Sequence, residues 1–376
     1  MRKNNRLESK QMITSLQIKN YRCFEDVELK EKSIGRFNIV VGQNASGKTT
    51  LLEAINMTSG SFGLVFTYKY WRGLQMTLFA RTNEEYKALW QDSFFRFDDK
   101  NPIEISLGGA PEYKRTFKMF YGKDTLEVLL KRNPLNQLSQ NQITPDSFTM
   151  IPLTFEVEAG GKKYVTRPQI QPDSGSIIST TNEVPPVSKV NYVPSFLPMV
   201  SGYSVSLYSN ISRRNKEDEI KLALKEVFPQ IKDLSVLGIG NVPAIYCSLP
   251  ESFSEKVPVS MVSSGIYKLL YILLVIASEE AKVVLIDELE NGFHYSILPK
   301  VWKLILDFCG KFNVQLFAST HSKECLEALK PSIDKDEDSF RLLRVEKSED
   351  EKKGHVVKAF GGSQLAAALE TGVEFR

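Results

Sequence analysis

The run Gly42-Gln43-Asn44-Ala45-Ser46-Gly47-Lys48-Thr49 constrains this chain more than any other stretch, because it fits G-x-x-x-x-G-K-[ST] at every fixed position. Its flanks fit too. Phe37-Asn38-Ile39-Val40-Val41 reads as a short buried strand, and Thr50 to Met57 reads as a helix with Leu51, Leu52 and Ile55 on one face. A strand, a glycine-rich turn and a helix N-terminus together make an anion site. Backbone N–H groups from Gly42 to Thr50 converge on phosphate oxygens, and the helix dipole favours the negative charge. Lys48 is placed to reach the β- and γ-phosphates, and the Thr49 hydroxyl to ligate Mg²⁺. The pattern predicts a bound nucleoside triphosphate.

Composition narrows the class. A hydrophobic content of 42% with 25% charged residues is that of a globular domain protein. The net charge of +3 neither demands nor excludes a nucleic-acid partner. Cys23, Cys247, Cys309 and Cys325 show no metal-ligand spacing and read as small buried residues in a reducing compartment. Met1 to Gln11 is polar and basic, unlike a signal peptide. The apolar run Leu269 to Ala277 falls short of the about 20 residues that span a bilayer. The expectation is a cytoplasmic protein with no membrane partner.

Along the chain, Ile13 to Ile18 alternates like a strand with Val27-Glu28-Leu29 as its hairpin partner, opening a mixed sheet with the strand before the phosphate loop. Residues 60–189 read as an inserted β-rich lobe with a helix or two near its start, where Tyr68, Tyr70, Trp71, Phe79, Tyr86 and Trp90 cluster. Gln169 to Ser188, rich in Pro, Ser and Thr, reads as a loop. Regular α/β alternation then returns: strand Val190 to Pro194, helix Lys216 to Phe228, helix Ser264 to Ala277, strand Val283 to Ile286, helix Tyr295 to Cys309, strand Val314 to Ala318. A hairpin pairs Phe340 to Val345 with His355 to Phe360 across a charged tip, Glu346 to Lys353. The expected blocks are 1–59 and 190–330 for the nucleotide-binding core, 60–189 for the insert, and 331–376 for the hairpin and tail.

Three further motifs carry chemistry. Val283-Val284-Leu285-Ile286-Asp287-Glu288 is a buried parallel strand running into two carboxylates. Asp287 is suited to hold Mg²⁺, and Glu288 to polarise the water that attacks the γ-phosphate. His321 follows the apolar Leu316-Phe317-Ala318, at a strand's C-terminal end where ligands collect in open α/β sheets. Ser263-Ser264-Gly265 opens the helix that leads to Asp287. Its hydroxyls suit either an N-cap or a γ-phosphate held by another subunit.

This order of elements resembles the ABC-type ATPases of the SMC/RecF/OLD branch, and Leu16 to Phe24 is similar to that branch's opening strand and turn. The resemblance implies an α/β P-loop NTPase fold with an ABC-ATPase-like mixed sheet, a β-rich and helical insert and a C-terminal hairpin-helix. It makes Gly42 to Thr49 the Walker A motif, Val283 to Glu288 Walker B, Ser263 to Gly265 the signature acting in trans, and His321 the switch histidine. Asp287 to His294 is similar to the "DExExGLH" run of OLD-like members. ATP and Mg²⁺ are the implied ligands, with Lys48, Glu288 and His321 as the catalytic groups. Two departures stand out: Ala45 replaces a common Gly, which is tolerable where φ stays negative, and the full Leu-Ser-Gly-Gly-Gln signature is missing. Asn215-Lys216-Glu217-Asp218 fits the guanine-reading N-K-x-D, yet it precedes the Walker B strand and follows no apolar strand.

SMC-type members need long heptad repeats, which are not found here, and the stretch after His321 is too short for a TOPRIM domain of usual size. What remains resembles stand-alone OLD-like ATPases of two-gene phage-defence systems such as PARIS or Septu. That resemblance implies a homodimer or higher homo-oligomer closed by ATP, and a separately encoded nuclease or TOPRIM-like effector, with Val356 to Arg376 as a docking element. The alternatives are a nucleotide-gated scaffold with negligible hydrolysis and a RecF-like DNA-repair ATPase.

Overall fold

A computed structural model describes residues 12–60, 62, 80, 82–130, 146–171, 176–180, 183–195, 202–239, 242–250, 254–278, 281–334 and 336–371. The leader Met1 to Gln11 and the aromatics Tyr68, Tyr70, Trp71 and Phe79 lie outside the described residues. The chain divides into two compact units, one of residues 1–34, 45–188 and 345–357, the other of residues 35–44, 189–344 and 358–376. The first 34 residues group with residues 45–188.

The first unit is built on a seven-stranded sheet. Its strands are β1 (Ile13–Tyr21), β2 (Phe24–Leu29), β4 (Ile103–Gly109), β5 (Arg115–Tyr121), β8 (Leu153–Ala159), β9 (Lys162–Ile170) and β10 (Ile177–Thr180). They run in the order β10-β9-β8-β5-β4-β1-β2, and every neighbouring pair is antiparallel. Alternating burial along β4 and β5 explains this: one face packs inward and the other stays polar. The register lines up Gln17, Ser106, Thr116, Glu158 and Lys163 across that polar face. A cavity of about 890 Å³ opens beside these residues and contains none of the motif side chains. The sequence reading placed β1 and β2 in a sheet with the strand before the phosphate loop; instead they belong to this antiparallel sheet. Strand β10 also corrects the expected loop over Gln169 to Ser188. A separate hairpin pairs β6 (Leu126–Leu130) with β7 (Asp146–Met150).

Helix α1 (Lys48–Ser59) packs against β4 and β5 and is buried on all sides, Glu53 and Asn56 included, rather than on one apolar face. Its buried polar groups are met. Arg22 forms an ion pair with Glu53, and the buried Arg115 donates to the carbonyls of Ser59 and Pro186. Helix α2 (Asn83–Gln91) brings Trp90 edge-on to Phe155, centroids 5.8 Å apart.

The second unit carries a six-stranded sheet in the order β11-β15-β16-β3-β17-β18. These are β11 (Val190–Val193), β15 (Val283–Ile286), β16 (Gln315–Ser319), β3 (Phe37–Val41), β17 (Phe340–Lys347) and β18 (His355–Gly361). The pairs from β11 to β17 are parallel, and β3, β15 and β16 are buried at every residue. Burial on both faces is why these strands read as near-continuous apolar runs, with Asn38, Gln315 and Ser319 as their buried polar members. Helices α3 (Gly202–Ser212), α4 (Glu217–Val227), α5 (Val259–Val262), α6 (Ser264–Ala277), α7 (Leu298–Phe312), α8 (Lys323–Ile333) and α9 (Gly362–Thr371) complete the unit. A small sheet joins β12 (Asp233–Ile239), β13 (Val242–Ser248) and β14 (Val257–Pro258). Leu365 and Ala366 of α9 are buried in the core of this unit, so its apolar side is spent within the fold. Asn215 takes a left-handed φ of 56° in the turn between α3 and α4, and Lys216 is the N-cap of α4. The N-K-x-D run is a helix–turn–helix junction. Burial pushes the thiols of Cys309 and Cys325 up to about 12, as suits inert core cysteines. Among the described residues, no helix is long and apolar enough to cross a membrane.

Candidate functional site

The phosphate loop leaves the C-terminal end of β3, and the chain passes from the second unit to the first between Asn44 and Ala45. Gly47 holds φ 104° as the N-cap of α1, and a Cβ there would lie 2.6 Å from the Cys23 Sγ. Glycine is required twice over, by backbone and by space. Gly47→Ala is therefore expected to cost about 2 kcal/mol or more of stability. Equilibrium denaturation checks it, and an unchanged midpoint contradicts the packing account.

Ala45 takes φ 61°, so the condition under which a side chain is tolerated there, a negative φ, is not met. The loop turns left-handed at a residue with a Cβ, at a cost of about 1–2 kcal/mol. Gln43, Asn44 and Ala45 are exposed, Gly47 and Thr49 half-buried, and Gly42, Ser46, Lys48 and Thr50 buried. The Ser46 Oγ is buried with no hydrogen-bond partner, a polar group suited to a phosphate oxygen.

In the second unit the parallel register brings the ends of β3, β16 and β15 side by side. Thr320 N–H donates to the Val40 carbonyl at 3.0 Å, and Leu289 N–H to the Ser319 carbonyl at 3.0 Å. Asp287 is 2% exposed. Its carboxylate accepts from Ser319 Oγ at 2.6 Å and from the Tyr192 hydroxyl at 3.3 Å. Both donors are neutral, so the buried Asp287 carboxylate keeps oxygens of the kind a hard cation takes.

Glu288 holds a left-handed φ of 45°. Such a backbone persists only where its surroundings over-determine it. Here its N–H donates to Ser319 Oγ at 2.8 Å, its carbonyl accepts from Lys268 Nζ at 2.6 Å, and its carboxylate accepts from Asn291 Nδ2. His321 lies just past β16, with Nδ1 3.0 Å from Glu290 Oε1.

Helix α6 connects the signature to this cluster. Ser263 occupies its N-cap position, but no side-chain cap bond forms, so the hydroxyl does not do the capping job its sequence position allows. Gly265 lies against Gly292, where a Cβ would come within 2.2 Å of the Gly292 carbonyl oxygen. One turn on, Lys268 is 4% exposed and also approaches the Asp287 carbonyl at 3.4 Å. Burial pulls its ammonium down to about 8, opposed by the charges of Glu290, Asp287 and Glu288. The structure thus gathers Asp287, Glu288, His321 and the signature helix within one unit, and adds Lys268, Ser319 and Glu290. The signal for Lys268 was available: it is the one charged residue in the helix Ser264–Ala277.

A G-x-x-x-x-G-K-T loop at the end of a parallel strand, with a strand ending in Asp-Glu one strand removed in the same sheet, defines a P-loop NTPase. A family model described as an AAA ATPase domain matches residues 12–152. Another, described as AAA domain, putative AbiEii toxin, Type IV TA system, matches residues 194–327. An ATP/GTP phosphatase of Helicobacter pylori is 25% identical over 338 residues, covering 85% of this chain and 87% of that protein. An OLD nuclease of Thermus scotoductus is 33% identical over 102 residues, 27% of this chain and 15% of that protein. The RecF DNA replication and repair protein of Bacillus mycoides is 49% identical over 43 residues, 11% of either chain. The solved SmcHead bound to the C-winged helix domain of ScpA is similar at a TM-score of 0.45 and 13% identity, covering 94% of this chain and 99% of that one. At that score the fold rests on the sheet order and the loop, not on the likeness. The two ATPase family models, the motif order and the relatives together support an ABC-type ATPase of the SMC/RecF/OLD-like kind.

Proposed function

We propose that this chain hydrolyses ATP with Mg²⁺, and that nucleotide binding closes a homodimer or higher homo-oligomer that switches a partner. The observation that carries the reading is Glu288, held in a strained backbone at the end of β15 by hydrogen bonds to its N–H, its carbonyl and its carboxylate. In this reading Lys48 neutralises phosphate charge, Thr49 and Asp287 hold Mg²⁺, and Glu288 accepts a proton from the attacking water. The metal supplies charge neutralisation at the phosphate oxygens. Ser263 and Ser264 would donate to a nucleotide on the other subunit, which fits a Ser263 hydroxyl not engaged in capping and a Met261 beside it that is 69% exposed. An antiviral or toxin role with a separately encoded effector is supported by the family description of a putative toxin and by the OLD nuclease relative.

The test is steady-state ATP hydrolysis with light scattering, with and without Mg²⁺-ATP. Lys48→Ala is expected to abolish both nucleotide binding and ATP-induced assembly. Binding without hydrolysis in the wild type would leave a nucleotide-gated scaffold. The match to RecF favours a second reading, a DNA-repair ATPase, which predicts DNA affinity falling steeply with salt.

A further inference from the structure

Glu290 does something the motif reading leaves unassigned. Its Oε1 accepts the backbone N–H of His321 at 2.9 Å and also lies 3.0 Å from the ring Nδ1 of the same residue. One oxygen therefore grips His321 at both its main chain and its imidazole. The Glu290 side chain is 10% exposed while that of His321 is 41% exposed, so the carboxylate lies inside and the ring reaches outward from it. Glu288, two residues earlier, does not share this task, because its carboxylate is engaged by Asn291.

We propose that Glu290 is a positioning residue that fixes the tautomer and direction of His321, so that Nε2 is the nitrogen offered to the γ-phosphate or its attacking water. An ionised carboxylate accepts hydrogen bonds and cannot donate them. With a carboxylate oxygen 3.0 Å from Nδ1, the neutral ring favours its proton on that nitrogen, which leaves Nε2 bare. The second oxygen of Glu290 is buried and takes no hydrogen bond. Among the carboxylates, Glu290 does most to favour the charged form of the buried Lys268 ammonium against desolvation. Asp287, Glu288 and Cys325 are the other groups whose charge acts on that ammonium. The arrangement is a carboxylate–imidazole pair of the kind that holds a base or phosphate ligand in one orientation.

The inference rests on the ATPase reading for its kinetic consequence but not for its geometric one. The chain has three histidines, His294, His321 and His355, so side-chain ¹⁵N–¹H correlation spectra of the full-length, ¹⁵N-histidine-labelled protein can be assigned by single substitutions. His321 is expected to show a protonated Nδ1 and an unprotonated Nε2, and Glu290→Gln to shift it toward the Nε2–H form. In hydrolysis assays Glu290→Gln is expected to lower kcat by about 10–100-fold with KM for ATP little changed. The same change in a His321→Ala background is expected to cost nothing more. A wild-type His321 protonated at Nε2, or an undiminished effect of Glu290→Gln without His321, overturns the proposal. If the wild-type protein hydrolyses no ATP, the functional reading falls while the spectra still decide the pair.

Discussion

Glu288→Gln is expected to lower ATP turnover by about 10²–10⁴-fold, the range for loss of a general base, while leaving nucleotide binding intact. The substitution is nearly isosteric, and the amide oxygen can still accept from Asn291 Nδ2. The bonds that hold the left-handed backbone at residue 288 involve its main-chain N–H and carbonyl, so they survive the change. What disappears is the ability to take a proton. If turnover reopens an ATP-closed assembly, the variant accumulates as an ATP-bound oligomer, because nucleotide that binds only the closed form stabilises it by mass action. Single-turnover hydrolysis and light scattering on one sample read both effects. Turnover unchanged in the variant removes Glu288 from the chemistry. A wild-type rate already as low as the variant's favours the scaffold.

The strand before the phosphate loop, helix α6 and the Asp-Glu strand were readable from sequence to within a residue or so. Each is a largely apolar run, broken only by Asn38 in β3 and by Lys268 within α6, that two-sided burial satisfies and a sharp change in polarity bounds. Sheet membership was not readable. Alternation in Ile13 to Ile18 announces a strand with one wet face but does not name its neighbour, and β4, its second partner, lies far along the chain. Helix α3 was missed because Gly202-Tyr203-Ser204-Val205-Ser206 has weak helix propensity; the burial of Val205, Leu207, Tyr208 and Ile211 stabilises it instead. The candidate site shows the same division. Asp287, Glu288 and His321 were visible through their place at strand ends. Ser319 and Glu290 were not, because their roles come from contacts across β15 and β16 that no local pattern encodes, and Lys268 stood out only as the lone charge in its helix. Ala45 shows the limit in reverse, since a residue type that prefers negative φ is carried left-handed by the loop around it.

Lys268→Met is expected to destabilise the protein by about 3–5 kcal/mol, the cost of removing one partner from a buried charge cluster. Methionine keeps most of the aliphatic stem, so the loss isolates the ammonium rather than the packing around it. Without the ammonium, the Glu288 carbonyl loses its 2.6 Å donor, and Glu290 retains a buried oxygen with neither a hydrogen bond nor its main counter-charge. Three carboxylates, Asp287, Glu288 and Glu290, then lose the buried cation with which their charges interact. The strained φ at Glu288 also loses one of its restraints, so activity is expected to fall by more than the change in folded population explains. Urea denaturation followed by circular dichroism reads the first effect, and kcat measured well below the unfolding midpoint reads the second. A variant as stable as the wild type shows that the ammonium is not what holds this cluster. Full stability combined with lost turnover instead assigns Lys268 to positioning Glu288 alone.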